Sequence, residues 1–549
     1  MKKFIIILLA VATLGIAGCE EWLDVNHNPN DATNATPDLV LPGVLTQWLV
    51  DAQYFSTTPG AWMGYFYHAG GWSGWYEVKK YDVSTNFLNS FGWYTGQLTD
   101  NKYIRINSGT NVVYPAITYV VDAWYYSRLV DTYGDVPYSE ACSPELTFTP
   151  KYDDGAEIYT SIIHKLNVAI KTFDDAVNAP NAAANPIYSF KKATDIIYAG
   201  DFTKWKQFAN TLKLRLVMRQ TNVKSVADLK KEMDSTKVHG FITANVTGNP
   251  GYLVSSGKTN PWFSSFGKSF SGTLASANTQ YCLNSYMWRK LTLLNDPRLT
   301  KYWFAPTAAA GVLIHTKFGT DGDLVVQPNV TKAANYTWMF IADNYSGPTG
   351  NPIVNSGDGN VDPSKLYLLS EAWFLQAEAA ARGIVTGGVA ANVAYTNGVT
   401  ASLNDSKVAA ADQTTYLARA DVLWDAGWPL DEQVRRIINQ KWIANHFINM
   451  FESYCDYRRT GYPNPMHPGY NNDVTDPSFE MLSYYPSGII RRQIPRIISY
   501  PQAEFDINKV SVQAAVDKQI AKHGVTFTNT SYPFDARIFW DTAPKTITY

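Results

Sequence analysis

Cysteine is scarce in this chain, charge is almost balanced, and the common catalytic signatures are missing. Only four of the 549 residues are Cys. Cys19, Cys142, Cys282 and Cys455 are too scattered for a disulfide framework or a zinc pattern. The core must therefore hold without covalent staples, which a chain of this length can achieve in one large domain or two closely packed ones. Lys and Arg total 46 against 48 Asp and Glu. With no basic surplus to neutralise phosphates, the balance argues against nucleic acid as a partner. There is no HExxH, no Gly-rich phosphate loop, no GxSxG and no CxxC. None of the eight histidines stand at metal-ligand spacing, so no cofactor, metal or catalytic residue is expected. Asp131 and Asp135, around Tyr133-Gly134, are the tempting acid pair for a surface glycosidase, but capping and loop hydrogen bonds are the commoner fate of such Asp residues. Asp358-Gly359-Asn360-Val361-Asp362 lacks the alternating ligands and terminal Glu of an EF-hand and reads as a turn.

The amino terminus carries an address. Lys2 and Lys3 precede an apolar run from Phe4 to Ala12, and small residues lead into Ile16-Ala17-Gly18-Cys19. The run is too short to span a bilayer, so it reads as a signal peptide. Cys19 sits where a lipoprotein is cleaved and lipidated, and more than one acyl chain makes a stable anchor. The expected organisation is a signal peptide over 1–18, a lipid-anchored tether over 19–40 and a single domain over 41–549.

Aromatic residues make up 14% of the chain beside 17% charged residues, where an ordinary domain carries about 25% charged. Apolar residues recur at helical spacing over 115–131, 155–175, 203–219, 364–382 and 431–449, with Trp124, Trp205, Trp373 and Trp442 on the stripes as core. Small residues over 377–381 and at 390, 391, 394 and 401 let two helices approach closely, although no 34-residue period marks a repeat. Between the helices lie long tracts rich in Gly, Asn, Ser, Pro and aromatics, over 57–100, 245–280, 300–362 and 456–505. Tracts of that length are uncommon unless they serve a function.

An ordered set of motifs resembles the SusD/RagB family of outer-membrane nutrient-binding lipoproteins. LVDTYGDVPYSEA at 129–141 is similar to its hallmark stretch, and WLDVNHNPNDAT at 22–33 to the segment after the lipidated cysteine. IYAGDFTKWKQFANTLKLRLVMR at 197–219, NDPRL at 295–299, SEAWFLQAEAAARG at 370–383, QKWIA at 440–444, DYRRTGYP at 456–463 and IPRIISYPQAEFDIN at 494–508 follow in the family's order. The resemblance implies a mainly α, SusD-like fold, with four tetratricopeptide-like helix pairs on one side and a loop-rich ligand-binding side opposite. It also implies a lid-like partnership with a SusC-like TonB-dependent outer-membrane barrel, a glycan ligand (or, as in RagB-like members, a peptide) and no enzymatic activity. Glu20 and Glu21 resemble the signal that sends such lipoproteins to the cell exterior.

An aromatic face covers the apolar C–H face of a sugar ring at little entropic cost. The densest loop aromatics are Trp62, Tyr65, Tyr67, Trp72, Trp75, Tyr76, Phe91, Trp93 and Tyr94, with Trp262, Phe263, Trp303 and Trp338 as a second set. From these the expected ligand-binding residues are Trp72, Trp75, Trp93 and Trp338, with Asn86, Asn89 and Asp343 as polar partners. Arg458, Arg459, Arg491, Arg492 and Arg496 lie in motifs expected whatever the ligand, so they read as Arg–carboxylate struts inside the fold.

Overall fold

The apolar stripes fold as helices. A computed structural model of the chain describes residues 35–54, 57–68, 89–143, 148–181, 184–234, 239–267, 269–273, 281–304, 338–339, 361–385, 388–464, 494–523 and 536–542, with isolated positions at 78, 81, 83, 85, 87, 275 and 313. Its longer helices are α1 (Pro37–Tyr54), α2 (Gln97–Asn107), α3 (Val113–Tyr133), α4 (Gly155–Asn178), α5 (Phe202–Arg219), α6 (Leu369–Ala381), α7 (Ala391–Asp405), α8 (Leu430–Ala444), α9 (Met450–Thr460) and α10 (Lys509–His523). The consecutive pairs α2–α3, α4–α5, α6–α7 and α8–α9 pack on one another, the pairing expected of four tetratricopeptide-like units. Among the described residues no helix is long and apolar enough to cross a membrane. Helix α1 begins at Pro37, ahead of the tether boundary drawn at 40.

Burial explains which helix is central. Nearly every side chain of α3 is buried, as a helix surrounded by others requires, and α1, α2, α4 and α5 all lie against it. Helix α4 instead buries one stripe, Ile158, Ile162, Leu166 and Ile170, and Asp154 caps it by accepting the amides of Ala156 and Glu157. Trp48 of α1 stacks on Phe208 of α5 at 5.9 Å and meets Trp124 of α3 edge-on at 6.2 Å. Helices α6 and α7 approach closely because Gly398 faces Phe374; a Cβ at that position would lie 2.8 Å from the ring. At the end of α3, Gly134 takes φ +88°, and its amide donates to the Val130 carbonyl at 2.9 Å, a conformation that side-chain-bearing residues rarely adopt.

Among the described residues strands are few and short: β1 (Phe66–His68), β2 (Val136–Pro137), β3 (Tyr152–Asp153), β4 (Val246–Gly248), β5 (Tyr281–Leu283), β6 (Trp303–Phe304), β7 (Trp338–Met339) and β8 (Ser364–Tyr367). They form four antiparallel pairs, β1–β5, β2–β3, β4–β8 and β6–β7. Strand β8 departs from the helix expected over 364–382. Ser364, Leu366 and Tyr367 are buried, but as part of a ladder with β4, and the helix begins only at Leu369. The helix expected over 431–449 stops at Ala444, where the chain turns through Phe447 at φ +62° before α9. The irregular tract expected from 456 in fact begins inside α9.

That last difference has an electrostatic cause. Helix α9 carries polar residues inward because they meet opposite charges inside the fold. Glu452 faces Arg128 of α3 at 3.3 Å and Arg215 of α5 at 3.4 Å, and pairs closely with Arg219. Arg215 grips Glu371 of α6 with two bonds of 2.8 and 2.9 Å. Arg459 holds Glu378 with two of 2.6 and 2.7 Å, Lys441 pairs with Asp456 at 2.9 Å, and Arg496 pairs with Asp541. Burial alone would raise the pKa of Glu452, but Arg215, Arg219 and Arg128 outweigh it and hold the carboxyl well below the ordinary range. Burial likewise opposes ionisation of Glu378, but Arg459 and Arg382 together outweigh it and lower the carboxyl to about 2. Arg459 and Arg496 are thus internal Arg–carboxylate struts, whereas the buried Arg458 donates instead to the backbone carbonyls of Asp131 and Arg496 at 2.6 and 2.9 Å; Arg491 and Arg492 lie outside the described residues.

Candidate functional site

The loop-rich tracts are drawn together by their strands. β1, from the 57–100 tract, pairs with β5, which directly follows the 245–280 tract; β6 and β7, from the 300–362 tract, pair with each other, and β5 lies against β7. Aromatic rings hold this layer to the helices. Phe66 stacks on Tyr281 at 4.9 Å, Trp262 and Trp303 meet Phe447 at 5.9 and 5.6 Å, and Tyr65 stacks on Trp442 at 5.0 Å. His446 lies parallel to Tyr302 at 4.3 Å, and burial pushes its pKa far below the usual value, so it packs as a neutral ring.

This packing decides the role of most described loop aromatics. Trp62, Tyr65, Tyr67, Phe91, Trp262, Phe263 and Trp303 are all buried. So is Trp93, one of the residues expected to bind ligand. It is 9% exposed, meets Tyr125 edge-on at 5.0 Å and lies tilted 5.9 Å from Trp124. The physical reason is its position at the start of a short helix seated on α3, where burying a large ring outweighs leaving it in solvent. Asn89 is exposed and its side-chain oxygen accepts the Phe91 amide at 3.0 Å, shaping the turn into that helix. Trp338 stands in β7 directly opposite Phe304. Trp72, Trp75, Asn86 and Asp343 lie outside the described residues.

The acid pair is accounted for by structure. Asp131 is buried and accepts from Tyr159 at 2.6 Å and Trp540 at 2.8 Å. Asp135 accepts the Gly155 amide at 2.9 Å and pairs with Lys518 at 2.6 Å. Both carboxylates are thus engaged in contacts that hold the fold. Among the described residues, no group of three or more His, Cys, Asp or Glu is placed to hold a metal ion.

Residues 30–485 match the SusD-like family described as "Starch-binding associating with outer membrane", and the chain belongs to that family. Solved structures share its fold. A chitin-binding SusD homolog from Flavobacterium johnsoniae is 22% identical with a TM-score of 0.69, covering 92% of this chain and 99% of its own. A SusD homolog from Bacteroides uniformis is 23% identical with a TM-score of 0.67, covering 91% and 99%. Another from Bacteroides thetaiotaomicron is 20% identical with a TM-score of 0.66, covering 92% and 99%. No curated protein matches the chain.

Proposed function

We propose that this protein captures an oligosaccharide at the cell surface and, acting as a lid, delivers it to a SusC-like TonB-dependent outer-membrane barrel. In this reading Cys19 carries the lipid anchor, the helical side meets the barrel, and the loop layer meets the ligand without altering it. The observation that carries the reading is the meeting of β1, β5, β6 and β7, which gathers three aromatic-rich tracts into one layer. Loops set on a rigid scaffold are where binding specificity ordinarily resides. Trp338, with Trp72, Trp75, Asn86 and Asp343, is the proposed contact set.

An array of glycans and peptides probed with the mature chain identifies the ligand class; capture of peptides alone would replace the sugar reading. With the ligand in hand, Trp338→Ala is expected to weaken binding by about 1–3 kcal/mol, or roughly fivefold to a hundredfold, at unchanged melting temperature. Unchanged affinity would move the site away from the β6–β7 ribbon. For the anchor, Cys19→Ala is expected to leave the protein soluble after detergent-free fractionation of cells. Retention of the variant in the membrane fraction would rule out lipidation at that residue.

A further inference from the structure

A groove is lined by residues of α2, α3 and α4, by the segments that precede α2 and follow α3, and by Glu504. Its two lobes, of about 430 and 480 Å³, share Lys102, Ile106, Ala141 and Cys142 as a common wall. In the smaller lobe, Lys102 and Arg105 stand one turn apart on α2 and Lys165 comes from α4, with Asp122 of α3 as the only carboxylate among the described residues that line it. Asp122 is buried, pairs with Arg105 at 2.8 Å and takes a hydrogen bond from Asn101 at 2.9 Å. Lys165 reaches it only at 3.8 Å, and its ammonium otherwise faces the rings of Tyr138 and Tyr119, 4.8 and 5.9 Å from their centroids. Lys102 donates to the Ala141 carbonyl at 3.0 Å, which leaves an ammonium two further donors.

Three cations therefore line one lobe, and of these Arg105 and Lys165 share the Asp122 carboxylate, in a concave, partly dehydrated setting where charge is screened less than on open surface. Hydroxyls line the same wall: those of Tyr138 and Ser161 lie 2.7 Å apart, with Ser139 beside them. The larger lobe is mostly apolar. Phe91, Tyr94, Tyr103 and Phe148 line it, and Glu504 closes it while accepting the Tyr152 hydroxyl at 2.6 Å. Phe148 and Ile106 are 75% and 58% exposed at its edge. The combination favours a ligand with one anionic group, several hydroxyls and a ring face. A bare inorganic anion would leave the apolar lobe unused.

We propose that this groove is a second ligand site, one that takes an acidic sugar: the carboxylate of a uronic-acid residue among Lys102, Arg105 and Lys165, and the neighbouring ring against the apolar lobe. The choice of a sugar over another carboxylate rests on the glycan-capture reading; the charge argument does not. The test titrates the mature chain calorimetrically with trigalacturonate, with neutral galactotriose, and with a tripeptide carrying a free carboxyl terminus. Trigalacturonate is expected to bind at least roughly tenfold more tightly than galactotriose, and Lys165→Gln to weaken it by roughly tenfold, the worth of one charge-assisted hydrogen bond. Lys165→Gln is chosen because its loose ion pair contributes little to the fold, and an unchanged melting temperature verifies that. Equal affinity for the acidic and neutral trisaccharides, or an affinity for trigalacturonate that Lys165→Gln leaves unchanged, would overturn the site. Tighter, Lys165-dependent binding of the tripeptide would overturn the acidic-sugar assignment. Trp338→Ala should leave trigalacturonate binding here unaffected, so failure of the loop-layer site and failure of the groove remain distinguishable.

Discussion

Replacement of Glu452 by alanine is expected to destabilise the protein by about 3–5 kcal/mol, the cost of stranding buried charges without their partner. Glu452 lies at the meeting point of Arg128, Arg215 and Arg219, drawn from α3 and α5, and all four side chains are 3% exposed or less. Asp131 and Glu371 could take up part of the lost partnership, at 3.3 Å from Arg219 and 2.8 Å from Arg215 respectively. Arg128 has less in reserve: among the described residues its other polar partner is the Asn449 side chain at 3.4 Å, beside the Trp124 ring. Whole domains are stable by only about 5–15 kcal/mol, so the variant should lose a large fraction of its margin. Urea unfolding of wild type and variant measures this directly. A loss below about 1 kcal/mol would mean that water or a shifted carboxylate reaches the arginines.

The second large effect is expected at Trp442, where alanine should cost about 3–5 kcal/mol through the cavity it leaves. The ring is 1% exposed, its N–H donates to the Met63 carbonyl at 3.0 Å, and it is stacked by Tyr65 and met edge-on by Tyr286 at 5.5 Å. Removing it also takes away the Met63 carbonyl's hydrogen bond from the indole. The informative contrast is with Trp338→Ala, also a tryptophan change. Trp442→Ala should lower the melting temperature and leave ligand affinity intact in whatever fraction stays folded. If Trp442→Ala cost affinity without stability, the packing described around it would be wrong.

Helices were legible in the sequence because their burial is periodic. The stripes over 115–131, 155–175 and 203–219 recur as α3, α4 and α5 with ends shifted by a few residues. The start of α6 was misread because Leu366 and Leu369 keep helical spacing while the first belongs to a ladder with β4, a partner more than a hundred residues away. Among loop aromatics, composition identified an unusual resource but not its use. Trp93 and Trp303 look no different from Trp338 in the sequence, yet both are buried by elements far along the chain. The groove was invisible for the same reason. Lys102 and Arg105 come from one helix, Lys165 from another, and the Asp122 carboxylate that Arg105 and Lys165 share from the helix between. The internal arginines were the easier inference, since a cation inside a fold requires a partner whatever the protein binds.

The β6–β7 ribbon joins residues 303–304 to 338–339 through two paired positions, so the tract from 305 to 337 is closed at its base independently of its content. Closing such a loop costs only about 0.6 kcal/mol more for each doubling of its length. In chain-entropy terms, length changes between the two strands are therefore cheap, while Leu313 within the tract packs against the main core. The ribbon acts as a socket, and relatives of this chain could diverge in cargo by changing what is plugged into it while the body of the protein stays as it is.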